Sequence, residues 1–370
     1  MKKKRGISWK TVGFALLAAL AGAALGYWGM SQVDALGLPG LLALLLLLVL
    51  AYLLQVTVHE GGHLAGGLIT GYRPLFFRVG RIMLVKLDGR WRVRTYHIPG
   101  TGGQCLMAPP DREEPPCRLY HLGGGLANLL LAVLAVPVLL LTHAPLMRVF
   151  ALSLVLTGIW MAGTNLFPVQ IGGMANDGYN AKYLGRDPLA LRCVSAQLRV
   201  NEGLLRGVAL TDMPETWFVL PPGADLGNPM IAGTAMQGAA RQLERGDIAG
   251  ADQAFRALLD RGDLLGLYRR EITCEVIFCG LLLGRSRAEL EKLRSPELTR
   301  YEKATRRFFL CRVRQAYAWA LLAEGDREKA RVLRTDFEKA ASRYPYIGEL
   351  AGERQLLDRV DRAARSAEKE

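Results

Sequence analysis

The sequence predicts a mainly α-helical, polytopic membrane protein with about four transmembrane helices, a β-hairpin insert and a C-terminal cytoplasmic α-helical domain of tetratricopeptide-like repeats. Three observations carry that reading. Of the 370 residues, 51% are hydrophobic, and they are concentrated in the first half. Between Lys10 and Arg73 there is no Lys or Arg, and the only acidic residues are Asp34 and Glu60; Leu119 to Met147 carries no charge at all. After about residue 183 the long apolar runs stop, and shorter passages ending in glycine recur.

Four spans read out: Val12 to Met30, Leu38 to Val58, Leu122 to Leu141 and Leu146 to Phe167. About 20 residues rising about 1.5 Å each cross a hydrocarbon core of about 30 Å, so each is long enough. Met1 to Met30 also has the basic start and small residues (around Ala21 to Ala24) of a secretory signal peptide. Its apolar region is long for one and a second span follows at once, which favours an uncleaved N-terminal transmembrane helix over residues 1–36. Within it, Gly22-x-x-x-Gly26 is a helix-packing pattern.

The formal charge of +13 raises nucleic acid as a partner, and its distribution argues against one. Five of the first ten residues are basic, and residues 71–120 hold nine basic against four acidic residues. The short loops expected on the opposite side, Ser31 to Gly37 and Thr142 to Pro145, carry only Asp34. Lys and Arg gathered on one side follow the positive-inside rule. This predicts a multi-pass protein of the cell membrane, in contact with the lipid bilayer, with both termini and the loop 72–120 in the cytoplasm and no nucleic-acid partner. Residues 37–182 form the membrane-embedded core, 183–229 a linker and 230–370 the helical-repeat domain.

Inside the loop, Asp88-Gly89 separates two extended-type runs, Val79 to Leu87 and Arg90 to Ile98. Such a dipeptide supplies the positive φ that a two-residue hairpin turn needs. Arg90, Arg92 and Arg94 alternate with Trp91, Val93 and Thr95, so the hairpin is amphipathic. It is suited either to lying at the lipid face with arginines at phosphates or to pairing its edge with an extended peptide. Pro99 to Pro116, rich in Gly and Pro, reads as an irregular loop. The turn glycines Gly246, Gly284 and Gly325 follow three similar helical passages, 38 and 41 residues apart, which is the basis for the repeat reading and for a protein partner on that surface. The six cysteines fall in segments assigned to the reducing side, so free thiols are expected, with Cys274 and Cys279 as buried helix residues.

The second span runs into His59-Glu60-Gly61-Gly62-His63. Histidines four apart on a helix project from one face, so both imidazoles can reach one ion, and the glutamate between them stands beside the water such an ion activates. Ionisable residues at membrane depth are costly and mark function. A catalytic zinc site usually has a third protein ligand. The fourth span ends at Asn165-Leu166-Phe167-Pro168 and leads to Asp177, on the side and at the depth of the histidines by the predicted topology. Asp177 is the candidate third ligand, the other reading being a cap or turn residue. His97 and His121 flank the loop at no ligand spacing and read as packing residues; His143 sits on the opposite side.

Three linked motifs carry a resemblance: His59 to His63; Gly124-Gly125-Leu126-Ala127-Asn128; and Asn165-x-x-Pro168 followed by Asp177-Gly178. Over about residues 37–180 the chain resembles the site-2 protease family of intramembrane zinc metalloproteases. It departs in having Gly125 where that family has proline, which should loosen a helix entrance, and in a longer stretch between Pro168 and Asp177. The resemblance implies an intramembrane zinc endopeptidase acting on peptide bonds in or near transmembrane segments of membrane-bound protein or peptide substrates. It implies Zn2+ held by His59, His63 and Asp177, with Glu60 as general base and Asn128 bonding substrate backbone or the oxyanion, the other reading of Asn128 being a plain interhelical contact. Gly61 and Gly62 would leave room beside the metal for substrate, or serve helix packing alone, as glycines in membrane helices commonly do. The alternative is a catalytically silent membrane scaffold or partner-binding protein with a relic metal site, which needs none of these side chains. An ion transporter would carry more ionisable residues in its spans than these do.

Overall fold

The computed structural model describes residues 22–367 apart from 24–25, 33, 35–36, 88, 97–99 and 172. Most of the first predicted span, 12–30, lies outside the described residues, as do Asp88 and His97. The described chain is mainly helical with a small antiparallel sheet. Its contacts divide into two units: one holds the chain up to His63 with Leu122–Phe167, the other Leu64–His121 with Pro168–Glu370.

The first unit is built from three helices, each long and apolar enough to cross a membrane: α1 (Leu38–Ile69), α2 (Arg118–Leu141) and α3 (Pro145–Leu166). Both α1 and α2 continue unbroken into the second unit. Leu42, Leu46, Val49, Leu130, Leu134 and Ile159 point outward and are exposed. A protein in water would bury a band of that extent, so these faces suit lipid. Small residues let the helices meet backbone to backbone: a Cβ on Gly62 of α1 would overlap the carbonyl of Gly123 on α2, and the converse holds for Gly123.

In the second unit α1 ends as its sequence predicts. Gly71 takes φ +88°, the Tyr72 amide donates to the Gly67 carbonyl and the Gly71 amide to Leu68, a glycine-terminated helix end. Four strands follow: β1 (Arg73–Val79), β2 (Ile82–Leu87), β3 (Arg90–Thr95) and β4 (Gly103–Ala108), ordered β3-β2-β1-β4 and antiparallel throughout. The predicted hairpin is β2–β3, with Leu87 opposite Arg90 and Gly89 at φ +76°. The expectation of an irregular loop from 99 to 116 is corrected for Gly103–Ala108. There β4 pairs with β1, setting Cys105 opposite Phe77 and Gln104 opposite Arg78. The fully buried Arg78 donates to the carbonyls of Gly80 and Gly103 and to Thr101, which ties the loop to the sheet. Phe76, Met83, Val85 and Leu106 form the sheet's core with Leu205 from α5 (Pro188–Leu205). That helix lies within the segment predicted as a linker, and its Leu191, Cys193, Val200 and Leu204 are buried.

The remaining helices are α4 (Asp177–Tyr183), α6 (Pro229–Arg245), α7 (Ile248–Leu259), α8 (Gly266–Leu282), α9 (Arg287–Glu291), α10 (Pro296–Thr305), α11 (Leu310–Ala318), α12 (Arg327–Ala341) and α13 (Ile347–Ala367). The three turn glycines behave alike: Gly246, Gly284 and Gly325 take φ of +86°, +71° and +66°. Each is followed by a capping side chain, Asp247, Ser286 and Asp326, that accepts from the next helix's backbone. The helices they introduce differ, at 12, 5 and 15 residues, so the three passages share a turn and not a unit of constant size. All six cysteines are free; Cys274 and Cys279 are fully buried on α8, as expected.

Candidate metal centre

His59, Glu60 and His63 occupy the last third of α1 and are 7%, 7% and 8% exposed. The four-residue spacing does what helical geometry requires: the imidazoles meet edge to face, centroids 4.7 Å apart, with their Nε2 atoms 3.1 Å from each other. Two nitrogens each about 2.0–2.1 Å from one tetrahedral zinc would lie about 3.3 Å apart, so the pair fits a shared ion. Space for the rings comes from α2. A Cβ on Gly124 would lie 2.6 Å from His63 Nε2 and 2.7 Å from His59 Nε2, so any side chain there would fill the place where the nitrogens face each other.

A hydrogen-bond chain with one direction fixes the tautomer of His59. On α2, Asn128 donates from Nδ2 to the backbone carbonyl of Gln55 and to Gln55 Oε1, at 2.8 and 2.7 Å. A carbonyl cannot donate, so the Asn128 amide has only this orientation, and its Oδ1 faces His59 Nδ1 at 2.7 Å. His59 Nδ1 must then carry the proton, which leaves Nε2 with the lone pair that a metal ligand needs. Gln55 is itself oriented, donating from Nε2 to the Leu154 carbonyl on α3 at 2.8 Å. Asn128 and Gln55 are fully buried, and these bonds offset the cost of holding amides in apolar surroundings.

Asn128 was expected to serve substrate or oxyanion; in the structure its amide is committed to His59 and Gln55. Of the two readings of the motif glycines, Gly62 takes the packing one, at the α1–α2 crossing, whereas a Cβ on Gly61 would meet nothing within 4 Å. Gly125 stands inside α2, not at a helix entrance, and a Cβ there would meet the Leu166 side chain at 2.5 Å. Glycine for proline at this position therefore matches a close helix approach.

Asp177 lies in the second unit as the first residue of α4, and the capping role belongs to its neighbour Asn176, whose side chain accepts from the Tyr179 amide. The long approach from Pro168 is folded aside. Gln170–Ile171 (β5) and Met174–Ala175 (β6) pair as a small hairpin turned at Gly173, φ +88°. Asn176 closes its base: its amide donates to the Val169 carbonyl and its Oδ1 accepts from the Val169 amide, both at 3.1 Å. The extra residues thus loop out, and Asn176-Asp177 follow Val169 in space. Beside Asp177 stands His121 of α2, Nδ1 to Oδ1 3.6 Å.

Gln55 and Gly124 were missed at the histidine pair. His121, read as an interfacial or packing residue, lies one helical turn before Gly124 in the second motif and stands beside Asp177. His143 is exposed between α2 and α3. No protein-family model, curated protein or solved structure matches this chain.

Proposed function

We propose that the chain is an intramembrane zinc endopeptidase of the site-2 protease type, with His59, His63 and Asp177 as zinc ligands and Glu60 as general base. Its substrates are membrane-bound proteins or peptides, cut in or near a transmembrane segment. The observation that carries the reading is the pair of imidazole nitrogens 3.1 Å apart, buried with Glu60 in an apolar helix. The Asn128–Gln55 chain and the bare backbone at Gly124 support it, because a silent scaffold needs neither a defined histidine tautomer nor an empty cradle.

Zinc, when bound, supplies Lewis acidity: it makes a water acidic near neutral pH and polarises the scissile carbonyl. Glu60 takes the proton of the attacking water as the C–O bond forms and returns it to the leaving amine nitrogen as the C–N bond breaks. Asn128 holds His59 in its ligand tautomer throughout, and the open side of Gly61 leaves room for an extended backbone. Residues 12–30 complete a set of four spans in this reading, with both termini cytoplasmic in the cell membrane. The C-terminal hairpins act as a tetratricopeptide-like surface for a protein partner.

The test is zinc content together with cleavage of a model transmembrane substrate. Glu60→Gln should keep zinc and lose cleavage; Asp177→Asn should weaken both. Undiminished cleavage by Glu60→Gln would remove the proposal.

A further inference from the structure

A second concave site lies wholly within the sheet and helical unit. Its cavity, of about 540 Å3, is lined by Arg81 from the β1–β2 turn, Arg306 and Arg307 from the α10–α11 connection, and Lys339 and Arg343 from the end of α12. Among the described residues no Asp or Glu lines it, and none of these five cations pairs with a carboxylate. Other cations of this unit are paired. Arg294, Arg312, Arg314, Arg334 and Arg354 all have carboxylate partners, Glu302, Glu275, Glu353, Asp361 and Glu338 among them. Five like charges drawn from three separate elements around one concavity repel one another, and a concave wall focuses their field on whatever enters.

Aromatic groups supply the rest of the wall. Tyr96 meets Tyr344 edge to face at 6.0 Å, and the Tyr344 hydroxyl donates to Glu349 at 2.7 Å, which fixes the ring. Phe308 and Phe309 lie beside them. The volume falls in the range of small-molecule sites and exceeds what a bare phosphate needs, so the occupant has an organic part to set against the rings. Arginine forks match phosphate oxygens two at a time. We propose that this cavity binds a phosphate-bearing organic anion, either the head group of an anionic lipid or a soluble phosphate ester.

The experiment uses the full chain in detergent with two probes: glycerol 3-phosphate, followed by calorimetry, and phosphatidic acid, followed as lipid retained in native mass spectrometry. Arg307→Ala/Arg343→Ala removes two exposed cations, so the fold should persist, and binding should fall by about tenfold or more. Arg90→Ala/Arg92→Ala removes the same charge from the exposed strand β3 and should cost less than about twofold. Binding of the lipid without glycerol 3-phosphate supports the head-group source, binding of glycerol 3-phosphate without the lipid supports a soluble ester, and competition between the two supports the shared phosphate chemistry. Binding of neither overturns the proposal. So does an equal loss in both double variants, which would mean unspecific attraction to a basic protein.

Discussion

Two regions bury polar groups at comparable depth, and they satisfy them in opposite ways. In the helical unit, Arg312 pairs with Glu271 and Glu275, and Arg314 with Glu275 and Glu353, while the Arg314 guanidinium also lies 3.9 Å from the centre of the Phe278 ring. Each charge there is cancelled by a neighbour, and the set refers only to itself. In the apolar helices the hydrogen bonds are donated in one direction, from His59 of α1 to Asn128 of α2, from Asn128 back to Gln55 of α1 and from Gln55 to the Leu154 carbonyl of α3. The series starts from one of two histidines whose other nitrogens face each other. A self-cancelling network holds helices together; a directed one prepares an atom for something outside the chain.

The largest effect is expected where that directed chain meets its cradle. Gly124→Ala places a methyl 2.6–2.7 Å from the ring nitrogens, so zinc content and cleavage should both collapse, cleavage by at least about 100-fold, with helix content unchanged. Retained zinc in Gly124→Ala would mean that the imidazoles do not meet an ion where they face each other. The self-cancelling network should answer to a different measurement. Arg314→Met leaves buried carboxylates short of a partner and should destabilise the helical unit by about 3–5 kcal/mol in denaturant unfolding, with zinc stoichiometry unaltered.

Within the directed chain the links are unequal, which gives a graded pair. Asn128→Leu removes the acceptor at His59 Nδ1 and should weaken zinc, in competition with a chelator, by about 10–100-fold. Gln55→Met removes a side-chain acceptor for Asn128 and the donor to the Leu154 carbonyl. The backbone carbonyl of residue 55 still orients Asn128, so the loss should be smaller than for Asn128→Leu. Equal losses would show that the two amides merely pack.

How much of this the sequence discloses depends on how far apart the cooperating residues lie. The His59–His63 pair needs one helix and the β2–β3 hairpin one dipeptide, so both are legible locally. Asn165-x-x-Pro168 singles out Asp177 as a candidate, although the hairpin between Pro168 and Asp177 has no such signal. Strand β4 escapes because its pairing partner stands across the whole sheet segment, Ala108 opposite Arg73, and its Gly- and Pro-rich flanks resemble loop. Gln55 has no local signal, since its role exists only where Asn128, 73 residues on, and Leu154 meet it. Gly124 looks like any membrane-helix glycine until the imidazoles are placed against it.

The smallest expected effect separates the two networks by pH. Burial pushes the Glu349 carboxyl up to about 7, against the hydrogen bond from Tyr344, with Glu353 and Glu244 adding like charge. Between about 4.5 and 7 the folded chain holds a proton that the unfolded chain releases, so this group's stabilisation is present below about 4.5 and lost as pH rises through 7. Glu275 runs the other way: burial raises it, but Arg314 and Arg312 hold it below the usual range, so its contribution is lost only on acidification. Glu349→Gln keeps an acceptor for Tyr344 and removes the titration. In scanning fluorimetry it should raise the melting temperature at pH 8 by a few degrees, change little at pH 5, and leave zinc content as in the parent. An identical shift at both pH values would assign the gain to packing rather than to the buried proton.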